Sequence, residues 1–169
     1  MTKEDLEVFL KQHYRLSYLW ARQCCWFDSE MAREVLHIAL LKILEGKARF
    51  AGQSTDKTWL FSVIRITALE QLRKSQKHVD LAEFSELNNF PDGNEDSDSG
   101  GFHEGLLKKL PARQREVLLL VFYHDRTLEE TARILNISPG AVSTHYDRGK
   151  KKLRELIEKQ KHHADRIYQ

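Results

Sequence analysis

Ser143, Thr144, His145 and Arg148, followed by Lys150, Lys151 and Lys152, are the side chains of this 169-residue chain with the most legible chemistry. Hydroxyls, an imidazole and a guanidinium so closely spaced suit hydrogen bonding to base edges, and the lysines beyond them suit phosphates. Phosphate contacts position a protein on a duplex, whereas contacts to base edges carry sequence information. Such side chains act together only when a helix carries them into a groove, and their neighbours predict that helix.

Residues 128–152 read as a helix, a tight turn and a second helix. Ala132, Ile134 and Leu135 give the first helix an apolar side. Asn136 stands where a left-handed turn residue is wanted, a conformation Asn tolerates well. Ser138 is then a good N-cap, and Pro139 fits the first helical position, where its missing N–H has no partner to lose. Val142 and Tyr146 are expected to pack, which leaves Ser143, Thr144, His145 and Arg148 facing elsewhere. This is the helix-turn-helix geometry that offers a recognition helix to the major groove, and it predicts sequence-specific DNA binding. Arg113 and Arg115 are candidates for backbone contact at the entry to the same unit.

The charge distribution agrees. Residues 1–78 hold 13 basic and 9 acidic side chains, residues 79–105 hold none and 8, and residues 106–169 hold 14 and 8. Two basic modules around an acidic segment is a layout for polyanion binding. No apolar stretch approaches the roughly 20 residues that span a bilayer, and MTKEDLEVFL is acidic and amphipathic rather than a signal peptide, so a cytoplasmic chain without membrane insertion is expected. Cys24 and Cys25 are adjacent, poor geometry for a disulfide, and no metal-ligand spacing accompanies them; packing is the preferred role, with no metal or cofactor expected. No nucleophile–base pair, paired carboxylates or glycine-rich phosphate loop points to an enzyme.

The remaining periodicity is helical. Residues 4–26 read as one helix through Leu6, Phe9, Leu10, Leu16 and Leu19; Asp28 or Ser29 caps a second, with Gly46 near its end. After the polar loop 47–58, a third begins near Thr55 or Asp56, with Arg73, Lys74 and Lys77 crowding its exit, where the helix dipole favours cations. Residues 80–103, with the run GNEDSDSGG, are too polar to form a core; Phe84, Leu87 and Phe90 could make local contacts there. LLKKLPARQREVLLLVFYHD predicts a short helix, a break at Pro111 and an apolar helix ending near Tyr123, and the tail KHHADRIYQ is expected to fray. The fold class is therefore all-α, with two small helical domains, 1–78 and 105–169, joined by a flexible acidic linker, 79–104, the second being the helix-turn-helix domain.

Leu110-Pro111-Ala112-Arg113-Gln114-Arg115-Glu116-Val117-Leu118, followed by the helix-turn-helix, resembles the fourth region of bacterial RNA polymerase sigma factors. Ala32 to Leu44 resembles that family's core-binding helix. Phe50, Trp59-Leu60-Phe61, Arg65, Ala68, Leu69, Leu72 and Arg73 resemble its promoter-melting helix. Having only these two regions makes the chain most similar to the extracytoplasmic-function (ECF) group. The resemblance implies core RNA polymerase and promoter DNA as partners, with an anti-sigma factor as a further partner it allows. It places polymerase binding at Glu34, His37, Leu40, Leu41 and Lys42. The loop Ala51 to Lys57 would hold a flipped base, so Gln53, Ser54, Thr55 and Lys57 become single-strand candidates, with Arg65, Arg73 and Lys74 for the strand backbone. Trp59 is expected to be core. The sequence departs from the family at His37 and Ile38, where a glutamine and an acid are usual, at Ile66, where Asn is common, and at Ser143 and His145, where Lys and Arg are frequent. Two other readings stay open: a sigma-like interaction module or decoy without promoter activity, and a LuxR-type activator, which would require a receiver of alternating strands and helices in place of residues 1–78.

Overall fold

The computed structural model describes residues 2–75 and 101–167 and, among them, contains helices and no strand. Residues 76–100, most of the expected linker with Lys77, Phe84, Leu87 and Phe90, lie outside the described residues.

The first bundle comprises α1 (Lys3–Gln12), α2 (Tyr14–Cys24), α3 (Ser29–Leu44) and α4 (Asp56–Ser75). The single helix expected over 4–26 is bent at His13. There the ring Nδ1 lies 2.9 Å from the Phe9 carbonyl oxygen, which also accepts the His13 N–H at 3.1 Å. A side chain sharing a helical acceptor in this way loosens the turn without ending the chain of hydrogen bonds. Asp28 caps α3 by accepting from the N–H groups of Glu30 and Met31. Between α2 and α3, Trp26 (φ 56°) and Phe27 (φ 63°) are both left-handed, a conformation costing about 1–2 kcal/mol at each residue with a Cβ.

The second bundle comprises α5 (Gly101–Lys108), α6 (Ala112–Leu118), a π-helical turn (Leu119–Tyr123), α7 (Leu128–Leu135) and α8 (Pro139–Ile167). Helix thus begins at Gly101, inside the segment expected to be linker. The apolar helix expected to reach Tyr123 widens after Leu118, and the His124 N–H bonds to the Leu119 carbonyl at 3.0 Å. That extra residue shifts the register: Phe122, 63% exposed, and Tyr123 turn outward while His124 turns in. The tail expected to fray continues α8 to Ile167, since no glycine or proline follows Gly149 to stop it.

Trp20, Ala21, Ala32, Val35, Leu36, Leu60 and Ile64 fill the first bundle; Val117, Leu120, Ile134, Leu135 and Val142 fill the second. These residues form one continuous cluster, because α7 lies along α4. The two helical domains thus share a packed junction as well. Bundles this small leave apolar faces that they cannot cover alone, and each covers the other's.

Gly149 lets α8 approach α6. A Cβ there would sit 3.2 Å from Cγ and Cδ1 of Leu118 and 3.3 Å from Cβ of Gln114. Gly149→Val is expected to destabilise the protein by about 1–3 kcal/mol, and Gly149→Ala by less. A Val variant melting at the wild-type temperature would show that the contact is not limiting.

Candidate nucleic-acid interface

The helix-turn-helix is fixed by local chemistry at both ends of α7. Thr127 and Glu130 cap its start reciprocally: Thr127 Oγ1 accepts the Glu130 N–H at 3.1 Å, and Glu130 Oε2 accepts the Thr127 N–H at 2.9 Å. Asn136 closes it in the left-handed conformation (φ 53°, ψ 49°), with the Ile137 N–H returning to the Ala132 carbonyl at 3.1 Å. Ser138 Oγ then accepts the Ala141 N–H at 3.1 Å and starts α8. Val142 is buried, and Tyr146 stacks on Phe122 with ring centroids 5.6 Å apart.

Those contacts fix the opposite side. Ser143, Thr144, Arg148 and Lys151 are exposed, and His145 and Lys150 are half-buried. Thr144 Oγ1 donates to the Gly140 carbonyl at 3.1 Å, so its hydroxyl offers a base only lone pairs. The Lys150 ammonium stands 4.3 Å from the Tyr146 ring centroid, a cation–π contact that holds it near the helix. Arg113 is half-buried, 3.4 Å from Glu116. Arg115, expected at the DNA backbone, is instead 4% exposed, with its guanidinium 3.9 Å from the Trp26 ring centroid. Burial lowers its pKa, and in this conformation it is not available to a phosphate.

In the first bundle, Gln53 is exposed beside Gly52 (φ 74°), and Ser54 is half-buried. Thr55 caps α4, accepting the Thr58 N–H at 3.2 Å and donating to Thr58 Oγ1 at 2.8 Å. Near this loop is an open hollow lined by Leu6, Ile43, Arg49, Phe50 and Trp59. Trp59 rests on the core as expected, but its ring also meets Phe50 at a centroid distance of 5.7 Å and lines the hollow. Arg49 is the lining residue that the sequence reading did not single out, and Phe50 was marked only by the family resemblance, since nothing in a polar loop shows which side chains turn toward a cavity.

The strand candidates divide between surfaces. Arg73 and Lys74 are exposed at the end of α4. Arg65 is 7% exposed, its Nε 3.5 Å from Glu116 Oε1 of the other bundle. Lys57 lies in the field of Arg126, Glu130 and Asp125; partial burial and Arg126 lower its pKa, and the two acids oppose that. At about 100° per residue, positions 57 and 65 lie roughly 80° apart around α4: Lys57 is near Arg126 and Glu130 at the start of α7, and Arg65 faces Glu116 of α6. On α3, Glu34, His37, Leu41 and Leu44 are exposed, Leu40 is half-buried, and Lys42 is paired with Glu70.

Where the bundles meet, His124 is 5% exposed, enclosed edge-on by Trp20 and Phe61, with Nε2 2.6 Å from Gln23 Oε1. Burial, and then the charges of Lys57 and Arg126, push its pKa down to about 4. The unfolded chain therefore takes up this proton first, near pH 6.5, so stability is full above that pH and falls as pH drops toward 4. The loss is roughly 3 kcal/mol. His124→Gln should flatten that part of the pH dependence in urea denaturation between pH 7 and 4.5; parallel curves for the two proteins would refute the assignment. Cys25 is buried, with its thiol pushed up to about 12, and burial also raises the Cys24 thiol. Both stay protonated, in keeping with the packing role.

The sigma-70 family description "Sigma-70, region 4" matches residues 106–155, which contain the whole helix-turn-helix. The chain is 26% identical over 164 residues to RNA polymerase sigma factor SigV of Bacillus subtilis, covering 94% of this chain and 95% of that one. It is 27% identical over 146 residues to the ECF RNA polymerase sigma factor SigX of the same organism, covering 78% and 73%. Residues 106–155 thus form a sigma-70 region 4, and the chain as a whole is similar to ECF sigma factors. The fold of this sigma factor is also that of solved relatives. It matches the sigma factor RpoE in a co-crystal with the anti-sigma factor NepR from Bartonella quintana (TM-score 0.74, 21% identity, 92% and 98% covered). It likewise matches CnrH in complex with the cytosolic domain of CnrY (TM-score 0.66, 18% identity, 93% and 90% covered). Among the described residues of the sigma factor, no helix is long and apolar enough to cross a membrane.

Proposed function

We propose that this sigma factor directs core RNA polymerase to promoters in the cytoplasm, dividing the work between residues 1–78 and 105–169. The observation that carries the proposal is the doubly capped helix-turn-helix with Ser143, Thr144 and Arg148 exposed at the start of α8. That end of a recognition helix reaches base edges of the upstream element, while Arg148, Lys150, Lys151 and Arg113 serve phosphates. Glu34, His37 and Leu41, with Leu40 and Lys42 beneath them, form the polymerase-binding side of α3, where exposed Leu41 and Leu44 supply apolar area.

Strand capture needs a recess for a base, a stacking surface and cations. The hollow lined by Phe50 and Trp59 supplies the first two, and Gln53, Ser54 and Thr55 lie between these two residues in the chain. Arg73 and Lys74, exposed at the end of α4, and the half-buried Lys57 supply the cations, whereas Arg65 is turned to Glu116. The solved relatives bound to NepR and CnrY suggest an anti-sigma factor as a partner of this chain too. Reconstitution with core polymerase tests the whole reading. Transcript starts mapped across genomic DNA should share an upstream and a downstream element at fixed spacing, and starts no different from those of core enzyme alone would reject it.

A further inference from the structure

The hollow at the start of α4 has aromatic walls and a charged rim. Phe50, 37% exposed, meets the half-buried Trp59, and Leu6 and Ile43 add apolar lining. Arg49 is the charged side chain of that lining, and the end of α3 holds it there. Gly46 closes α3 in the left-handed conformation (φ 75°), and the N–H groups of Lys47 and Ala48 return to the Lys42 carbonyl at 2.9 and 3.1 Å. The chain doubles back, and Arg49 Nε donates to the Gly46 carbonyl at 3.1 Å.

That bond leaves the outer edge of the guanidinium, Nη1 and Nη2, open. Among the described residues neither nitrogen has an acceptor and no carboxylate pairs with Arg49; Glu45, four residues before it, is paired with Lys47 at 2.8 Å. A planar fork of donors suits two acceptors side by side. An unpaired base offers such a pair on guanine, at O6 and N7, and on cytosine, at O2 and N3. Adenine and thymine instead set an N–H donor beside their acceptors, and that donor would face the guanidinium N–H groups.

We propose that Arg49 selects the base held in this hollow, favouring guanine or cytosine over adenine and thymine. The proposal rests on the reading of the hollow as the recess for an unpaired base; it adds which bases the recess takes and which side chain decides. The bond to Gly46 fixes the direction of the fork, so less side-chain freedom is lost when a base binds.

The test uses holoenzyme reconstituted from core polymerase and the full chain, a promoter library randomised through the downstream element, and sequencing of the transcripts. Wild type should prefer guanine or cytosine by at least about fivefold at one position of that element, and the base enriched tells the two apart. Arg49→Ala should lose that preference at that position alone, and Arg49→Lys, a cation without the fork, should not restore it. A preference is a ratio between sequences for one protein, so a change in stability does not move it. A wild type without such a preference, or preferences unchanged in Arg49→Ala, overturns the proposal. So does a loss spread evenly over all sequences, which marks a phosphate contact. Phe50→Leu, which removes a stacking ring and keeps apolar bulk, probes the recess itself. If it impairs promoter opening while Arg49→Ala alters no preference, the recess holds a base and Arg49 does not choose it. If it opens promoters as wild type does, the hollow takes no base and both readings fall.

Discussion

Trp20→Ala is expected to destabilise the protein by about 3–5 kcal/mol, the range for emptying a large aromatic site in a packed core. Trp20 is fully buried, its ring lies nearly parallel to Phe61 at a centroid distance of 5.6 Å, and its Nε1–H donates to the Phe61 carbonyl at 3.1 Å. The same ring meets His124 edge-on at 5.5 Å. One substitution therefore opens a cavity between α2 and α4 and removes a wall of the inter-bundle seam. Urea denaturation followed by circular dichroism measures the loss, and Trp20→Phe should recover part of it by refilling volume. A loss under about 1 kcal/mol, typical of a surface site, would mean that the two bundles do not share a core in solution.

The second large effect falls on promoter recognition. Arg148→Ala should weaken holoenzyme binding to all upstream elements alike and reduce its salt dependence by about one phosphate contact. Thr144→Ala should instead change which base is preferred at one position, by about 1–3 kcal/mol. Because the Thr144 hydroxyl proton is committed to Gly140, the partner should be a base donor, adenine N6 or cytosine N4, or a thymine methyl. Selection of upstream sequences with reconstituted holoenzyme distinguishes the cases. An unaltered preference in the Thr144 variant removes it from the reading residues, and a sequence-dependent loss in the Arg148 variant moves that residue among them.

Much of the interface was legible because it depends on chemistry between near neighbours. The Asn136 turn, the Ser138 cap and the starts of α3 and α4 follow from side chains acting on backbone groups a few residues away, and such rules survive any tertiary arrangement. The bend at His13 and the π-helical turn at Leu119–Tyr123 were not legible. In each a continuous apolar periodicity hides a local exchange of hydrogen bonds. Gly149 looked like an ordinary helical residue until Leu118 and Gln114 were placed against it.

The sequence by itself determined an all-helical chain, a helix-turn-helix with Ser143, Thr144 and Arg148 turned outward, and a resemblance to sigma factors in both halves. All of these arise from contacts between neighbours or from helical period. Only the tertiary structure decided that Arg65 and Arg115, which look like DNA contacts in the sequence, are turned into the junction between bundles, and that His124 is buried there without charge. A cation's role depends on what stands opposite it, and here that is Glu116 for Arg65 and Trp26 for Arg115, in both cases a residue of the other bundle.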